Sequence, residues 1–376
     1  MRSLQEHGAE QGSRPQRGLT RREVLVRGAG AVVASGVAVA GGALLYDPKG
    51  DAGLRNPMED TRRLKNYFEN IDFSASSPRI SVAVGLEGKI DQMVLAAIRG
   101  LDPDKGIARF ISRGDVVLIK PNVGFDRAPQ LGATTNPEVL RSVIRLCREA
   151  GAREIIVADN PIEAPEACFA KSKIEKVAKA EGAKVMLPAQ IYIESLVIRP
   201  GGPDPKKGEA LGTWPIFYRP LAQATKVIGV APIKDHNLCS ASMTLKNWYG
   251  LLGGRRNQFH QAIHDIVSDL GFMMSPTFVI ADATRVMMRN GPTGGRASDV
   301  KIGGEIGKPT IVASVDPVAG DAWCYQHLLG RDPARLAYLE AANKKIERQI
   351  ADGWHRFGSS DWQAYDRQGL INKASV

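Results

Sequence analysis

The sequence has few of the residues and patterns that announce the commoner chemistries. Its four cysteines in 376 residues are widely spaced and form no Cys-x-x-Cys pair, which excludes a disulfide-built domain and argues against a built-in iron–sulfur cluster. No Gly-x-x-x-x-Gly-Lys-Ser/Thr loop is present and no Gly-x-Gly-x-x-Gly follows a strand pattern, so nucleoside-triphosphate hydrolysis and ordinary dinucleotide binding have no support. Neither a Gly-x-Ser-x-Gly nucleophile elbow nor a His-Glu-x-x-His pair occurs. Fifty Lys and Arg against 40 Asp and Glu give a net charge of +10. The excess is scattered, with no run of five like charges and no basic–aromatic alternation, so it reads as solvated surface and nucleic acid is not an expected partner. What remains is an ordinary globular composition, 43% hydrophobic and 24% charged, long enough to bury a large core without staples.

Residues 1–46 stand apart. Thr20-Arg21-Arg22-Glu23-Val24-Leu25-Val26-Arg27 precedes a weakly apolar Ala/Val/Gly stretch from Gly28 to Tyr46, less hydrophobic than a typical membrane span. That order reads as a twin-arginine export signal, with Ala38-Val39-Ala40 as a small-residue cleavage site and a retained membrane anchor as the alternative. Its likeness to such signals implies the twin-arginine translocase as a partner and a periplasmic or other extracytoplasmic location. It also implies export of an already folded chain, often with its cofactor inserted. In an oxidising compartment Cys147, Cys168, Cys239 and Cys324 have three possible pairings, and buried thiols are the default reading.

Residues 47–79 read as a linker, 80–330 as an α/β domain, and 331–376 as a C-terminal helix with an aromatic tail (Trp354, Phe357, Trp362, Tyr365) packing back on the body. From residue 80 onward, short β-branched runs alternate with helical patterns, which predicts a mostly parallel sheet flanked by helices. Strands are expected at Ile80–Leu86, Asp115–Lys120, Glu154–Asp159, Lys226–Ile233, Thr277–Asp282 and Thr310–Val315. Helices are expected at Asp91–Leu101, Asn136–Ala152, Ala164–Gly182, Met243–Leu252, Gln258–Leu270, Pro317–Leu329 and Pro333–Ala351. Asn136 is a plausible N-cap with Pro137 at the first helical position. Apolar runs at Lys184–Leu187, Ser195–Arg199 and Thr213–Tyr218 around a Pro/Gly loop read as a hairpin-like insertion at about 184–220.

In an open α/β sheet, ligands lie beyond the carboxyl ends of the strands. The residues there are polar: Lys120-Pro121-Asn122, Asp159-Asn160, Lys234-Asp235-His236, Asp282 and Asp316. If those strands are parallel neighbours, these groups converge on one edge. The segment Lys234 to His260 is densest in groups that transfer protons or hold anions. His236 is the candidate general acid/base, with Lys246 and Lys120 as electrophilic or anion-holding groups and Asp159 orienting them. Lys234, Asn122 and Asn247 are candidate cofactor contacts, as are Gly294 and Gly295 in the loop Gly291-Pro292-Thr293-Gly294-Gly295-Arg296, whose amides suit a carboxylate or phosphate. His260 and His264 stand four apart on one expected helix face, and His260, Asp282 and Asp316 are the candidate metal ligands.

These residues resemble the DUF362 family, a domain of unknown function. The likeness runs through Lys120-Pro121-Asn122, Asn136-Pro137 with Ala150-Gly151-Ala152, Lys234-Asp235-His236, Thr244-Leu245-Lys246-Asn247, Gly291 to Gly295 and Asp316-Pro317-Val318-Ala319, over about residues 80–330. Asp235 stands where the family usually has Thr, a departure that bears on the charge of the site, and the iron–sulfur segment of many members is missing. The order His236, Lys246, His260 is also similar to that of nickel-pincer lactate racemases, in which a lysine holds the cofactor and a histidine ligates the metal. The expectation is an exported protein that binds a small anionic ligand, either as an isomerase, racemase or oxidoreductase with a metal ion or organic cofactor, or as an anion- or metal-binding accessory protein without turnover.

Overall fold

The computed structural model describes residues 61–62, 64–188, 195–197, 210–211, 214–350 and 358–376. The export signal expected in residues 1–46 lies outside them, as do Trp354 and Phe357. In chain order the elements begin with β1 (Thr61–Arg62), β2 (Ile80–Val84), α1 (Ile90–Arg99), β3 (Val116–Lys120), α2 (Pro137–Glu149), β4 (Glu154–Ala158), α3 (Pro165–Lys171), α4 (Ile174–Ala180) and β5 (Lys184–Met186). There follow β6 (Ser195–Val197), β7 (Trp214–Ile216), α5 (Arg219–Gln223), β8 (Lys226–His236), β9 (Ser240–Ser242), α6 (Thr244–Asn247), α7 (Ile263–Met274) and β10 (Phe278–Met287). The last are β11 (Val300–Lys301), β12 (Thr310–Ser314), α8 (Pro317–His327), α9 (Ala337–Ile350), α10 (Trp362–Arg367) and β13 (Ile371–Ser375).

The main sheet has the order β13-β2-β12-β10-β8-β3-β4-β5, with β9 added to β8 and β11 to β10. Along that path every strand runs the same way except β12, which is antiparallel to both neighbours. Both faces are covered, as near-continuous apolar strands require: Leu118 packs with one core, Val117 and Ile119 with the other. The expected α/β class is therefore observed. Asn136 caps α2, its side chain accepting from Glu138 N, with Pro137 in the first turn. The single helix expected over 164–182 is two, because Lys173 adopts a left-handed backbone at φ 64° between α3 and α4.

Three differences matter for the site. The insertion starts later than expected, since β5 pairs in parallel with β4 at the sheet edge; only β6 and β7 form the antiparallel pair, joined by β1. Strand β10 continues past Asp282 to Met287, leaving Asp282 within the strand rather than at its end. The C-terminal segment returns as β13 alongside β2, and Leu64, Tyr67 and Ile71 of the expected linker are buried in the core. Among the described residues no helix is long and apolar enough to cross a membrane. All four cysteines are buried and free.

Candidate functional site

Strand β8 makes the site possible. In register Lys120, at the end of β3, faces Gly229, so β8 overshoots β3 and carries Lys234 and His236 beyond the end of that strand. There β9 pairs back on it, and the chain turns through α6 and a following 3-10 turn, Trp248–Leu251, across the ends of β3 and β4. The cavity formed there, about 250 Å³, is lined by Asn122, Asp159, Lys234, His236, Lys246, Asn247, Tyr249, Arg256 and His260, among others.

A continuous polar chain forms its floor. Asp159 Oδ1 and Lys120 Nζ pair at 2.7 Å, both buried, while Asp159 Oδ2 accepts from Val123 N at 2.7 Å. Lys120 Nζ also donates to Asn247 Oδ1 (2.9 Å) and Pro121 O (2.8 Å). Asn247 Oδ1 accepts from Asn122 Nδ2 as well (3.2 Å), and Asn122 Oδ1 accepts from Lys234 Nζ (3.2 Å), whose second acceptor is Ala133 O at 2.5 Å. A group with this many fixed partners in a buried setting is held rigidly. Gly250 is required here, because a Cβ on it would stand 2.4 Å from Asp159 Oδ1 and 2.8 Å from Lys120 Nζ.

The cations outnumber their counter-charges. Lys246 Nζ lies 4.9 Å from the Tyr249 ring centroid and, among the described residues, makes no hydrogen bond or ion pair. Arg256 is committed to the backbone, donating to Leu252 O (2.9 Å), Gly250 O (3.2 Å) and Pro161 O (2.7 Å). Burial, reinforced by Lys246 and Lys120, pulls Lys234 down to about 7, and burial likewise lowers Lys120 and Lys246. His236 accepts from Leu238 N through Nδ1 at 3.1 Å, which leaves its proton on Nε2. Burial, then Lys246 and Lys234, hold it neutral with a pKa of about 2. Its ring centroid is 6.4 Å from that of His260, whose Nδ1 sits 2.8 Å from Asn257 O.

The structure thus brings together Lys120, Asn122, Asp159, Lys234, His236, Lys246, Asn247 and His260. It separates the rest. Asp316 follows the reversed strand β12 and lies at the opposite end of the sheet, where it caps α8 through Val318 N and Ala319 N and accepts from Tyr365 Oη. Asp282 is a brace rather than a ligand: its carboxylate accepts from Asn136 N (2.7 Å) and Thr284 Oγ1 (2.6 Å), holding the turn that contains Ala133. His260, Asp282 and Asp316 therefore form no common metal site, and among the described residues no three His, Cys, Asp or Glu side chains cluster as ligands would. The His260–His264 helix face does not form, because a 3-10 segment ends at Ala262 and α7 starts at Ile263. Of the glycine loop, Pro292 lines the cavity and Gly294 and Gly295 do not; Gly294 packs on Met287. Asp235, on the other side of β8, pairs with Arg331 at 2.7 Å, so this departure adds no charge to the cavity.

Sequence reasoning missed Asp321. Buried in α8, its carboxylate accepts from Thr244 N (2.9 Å), Thr244 Oγ1 (2.6 Å) and Leu245 N (3.0 Å), fixing the start of the helix that carries Lys246 and Asn247. Burial raises it to about 7. An acid in the middle of a helix that is otherwise apolar on every side was the available signal. Arg256 was equally visible as a cation beside Gly253-Gly254.

The sequence profile of a family described as a domain of unknown function, DUF362, matches residues 117–326. A thylakoid-associated protein of Synechocystis is 26% identical over 260 residues, covering 67% of this chain and 74% of its own. A solved structure of a protein from Thermotoga maritima is 13% identical with a TM-score of 0.31, the match covering 69% of this chain and 59% of the other, less than two thirds of that protein's length.

Proposed function

The chain belongs to the DUF362 family, and from that premise we propose that it binds a small organic anion in the lysine-lined cavity and moves a proton on it. One observation carries the reading. Lys234 and Lys246 line a cavity whose single carboxylate among the described residues, Asp159, is already paired with the buried Lys120, and among those residues Lys246 Nζ has no partner but an aromatic face. A charge placed so is stabilised by an incoming anion.

The division of labour follows from the partners. Lys246 holds the anion. Lys234, with a pKa of about 7, is the group able to take and return a proton near neutral pH. His236, fixed as a neutral donor through Nε2, polarises the oxygen on which charge develops. Lys120, Asn247 and Asn122 position Lys234, and Asp321 positions Lys246.

Titration calorimetry with acetate and with inorganic phosphate tests the binding step. Saturable binding that weakens at least tenfold in Lys246→Ala is expected, since a hydrogen bond to a charged group contributes about 1.5–3 kcal/mol; an unchanged affinity sinks the reading. Acids that bind are then held in deuterium oxide. Hydrogen exchange beside the carboxylate that is lost in Lys234→Met supports turnover, and binding without exchange supports an accessory, ligand-holding role instead. Export is part of the proposal and rests on Arg21-Arg22 and the stretch after them. A reporter fused to residues 1–46 should leave the cytoplasm, and Arg21→Lys with Arg22→Lys should retain it.

A further inference from the structure

The mouth of the cavity has a character its floor does not. Five large apolar side chains stand exposed among the described residues, and two of them, Ile162 and Leu238, each 52% exposed, line this cavity. Leaving such side chains in water at a mouth has no folding benefit. Ile162 is also shared with a second, open groove of about 480 Å³, along with Asn160 and Arg256. Beyond Ile162 that groove has an apolar side, Pro161, Ala164, Pro165, Pro188 and Leu252, and a polar side that includes Glu163, Arg255 and Asn257. The apolar side offers carbon to a ligand and few hydrogen bonds. Several of the polar groups are committed elsewhere: Arg256 to the backbone, Asn160 Nδ2 to Leu252 O at 2.9 Å, and Glu163 Oε2 to Asp126 N at 2.6 Å.

The geometry points to an amphiphilic ligand, an organic anion whose charged head meets Lys246 in the cavity and whose apolar body passes Ile162 and lies along the proline side of the groove. This inference rests on the anion-binding reading and narrows it to a substrate class. The cavity alone is smaller than the ~300–1,000 Å³ of sites that enclose drug-sized organic molecules, whereas cavity and groove together fall inside that range. A fully hydrated inorganic anion would use the floor and leave Ile162, Leu238 and the groove without a role.

The probes are straight-chain carboxylates, acetate, hexanoate and decanoate, titrated into the full chain. Each methylene that leaves water contributes about 0.8 kcal/mol, so affinity should rise about fourfold per methylene until the groove is filled. Ile162→Asn should reduce that increment by more than half. Leu86→Asn, at an exposed leucine that lines neither space, should leave it as in the wild type. Equal affinities for the three acids overturn the inference, and so does a chain-length gain that survives Ile162→Asn or falls equally in Leu86→Asn. Acetate binding that depends on Lys246 without any chain-length gain overturns the amphiphile alone and leaves the anion site standing. If no acid binds the wild type, both readings fall. Decanol binding as tightly as decanoate shows that the head group is not read, and overturns the inference as stated.

Discussion

Two buried lysine–aspartate pairs occur among the described residues, and they have nothing else in common. Lys345 and Asp269 join α9 to α7 at 2.5 Å. Lys345 also donates to Ser268 Oγ and to Asp265 O, and the second oxygen of Asp269 accepts from Ala210 N and Leu211 N. That pair is a rivet between segments, with its charges matched. Lys120 and Asp159 meet at 2.7 Å, but beside a cavity and beside two further lysines, so the matched pair sits in a surplus of positive charge. A buried ion pair by itself says little about function. Unmatched charge next to a void says more.

Substitutions can separate the two. Asp269→Ala leaves Lys345 buried and unpaired, and should cost about 3–5 kcal/mol in denaturant unfolding, while the folded fraction binds acetate as the wild type does. A comparable loss of affinity in that variant would dissolve the contrast. Gly250→Ala forces a methyl group against Asp159 and Lys120; overpacking of this kind costs about 1–3 kcal/mol, and here anion affinity should fall with it.

Lys234 gives the third test, through pH. Its folded pKa of about 7 is below the usual 10.5, so between those values the unfolded chain binds the proton and the folded chain does not. Stability should therefore rise with pH across that window, with a slope of up to ~1.4 kcal/mol per pH unit. Lys234→Met should flatten that part of the profile in unfolding measured from pH 6 to 10. The smallest effect is expected at the surface. Lys373 and Asp366 pair at 3.0 Å but both are largely exposed, and Lys373→Ala should change stability by less than ~1 kcal/mol, which marks the baseline against which both buried pairs are measured.

The comparison also explains what could be read in the sequence. Lys120 and Asp159 sit at or just beyond the ends of parallel strands, and Lys234 and His236 on the overhanging end of β8; a β-branched run ending in a polar residue shows that much. Asp316 ends an identical kind of run, and nothing in Thr310–Ser314 records that β12 is reversed; direction is a property of the pairing, not of the strand. Asp282 was misplaced because the alternation after it continues through Val286. The histidine spacing ran unbroken over a junction between two helix types that differ in residues per turn. Lys345 and Asp269 gave no local sign of their pairing, 76 residues apart in the chain, and Asp321 was hidden in the same way.

Lys234 has one more consequence. It is buried under the repulsion of Lys246 and Lys120, with no carboxylate in ion-pair reach among the described residues, and a pKa of about 7 leaves it shared between its two protonation states near neutral pH. An anion bound beside it, as proposed, would raise its proton affinity, so part of a proton would enter from the solvent with each ligand and leave when the ligand does. Such a site would take up something closer to an acid than to its conjugate base, and the acidity of the surrounding solution would become one of its reactants.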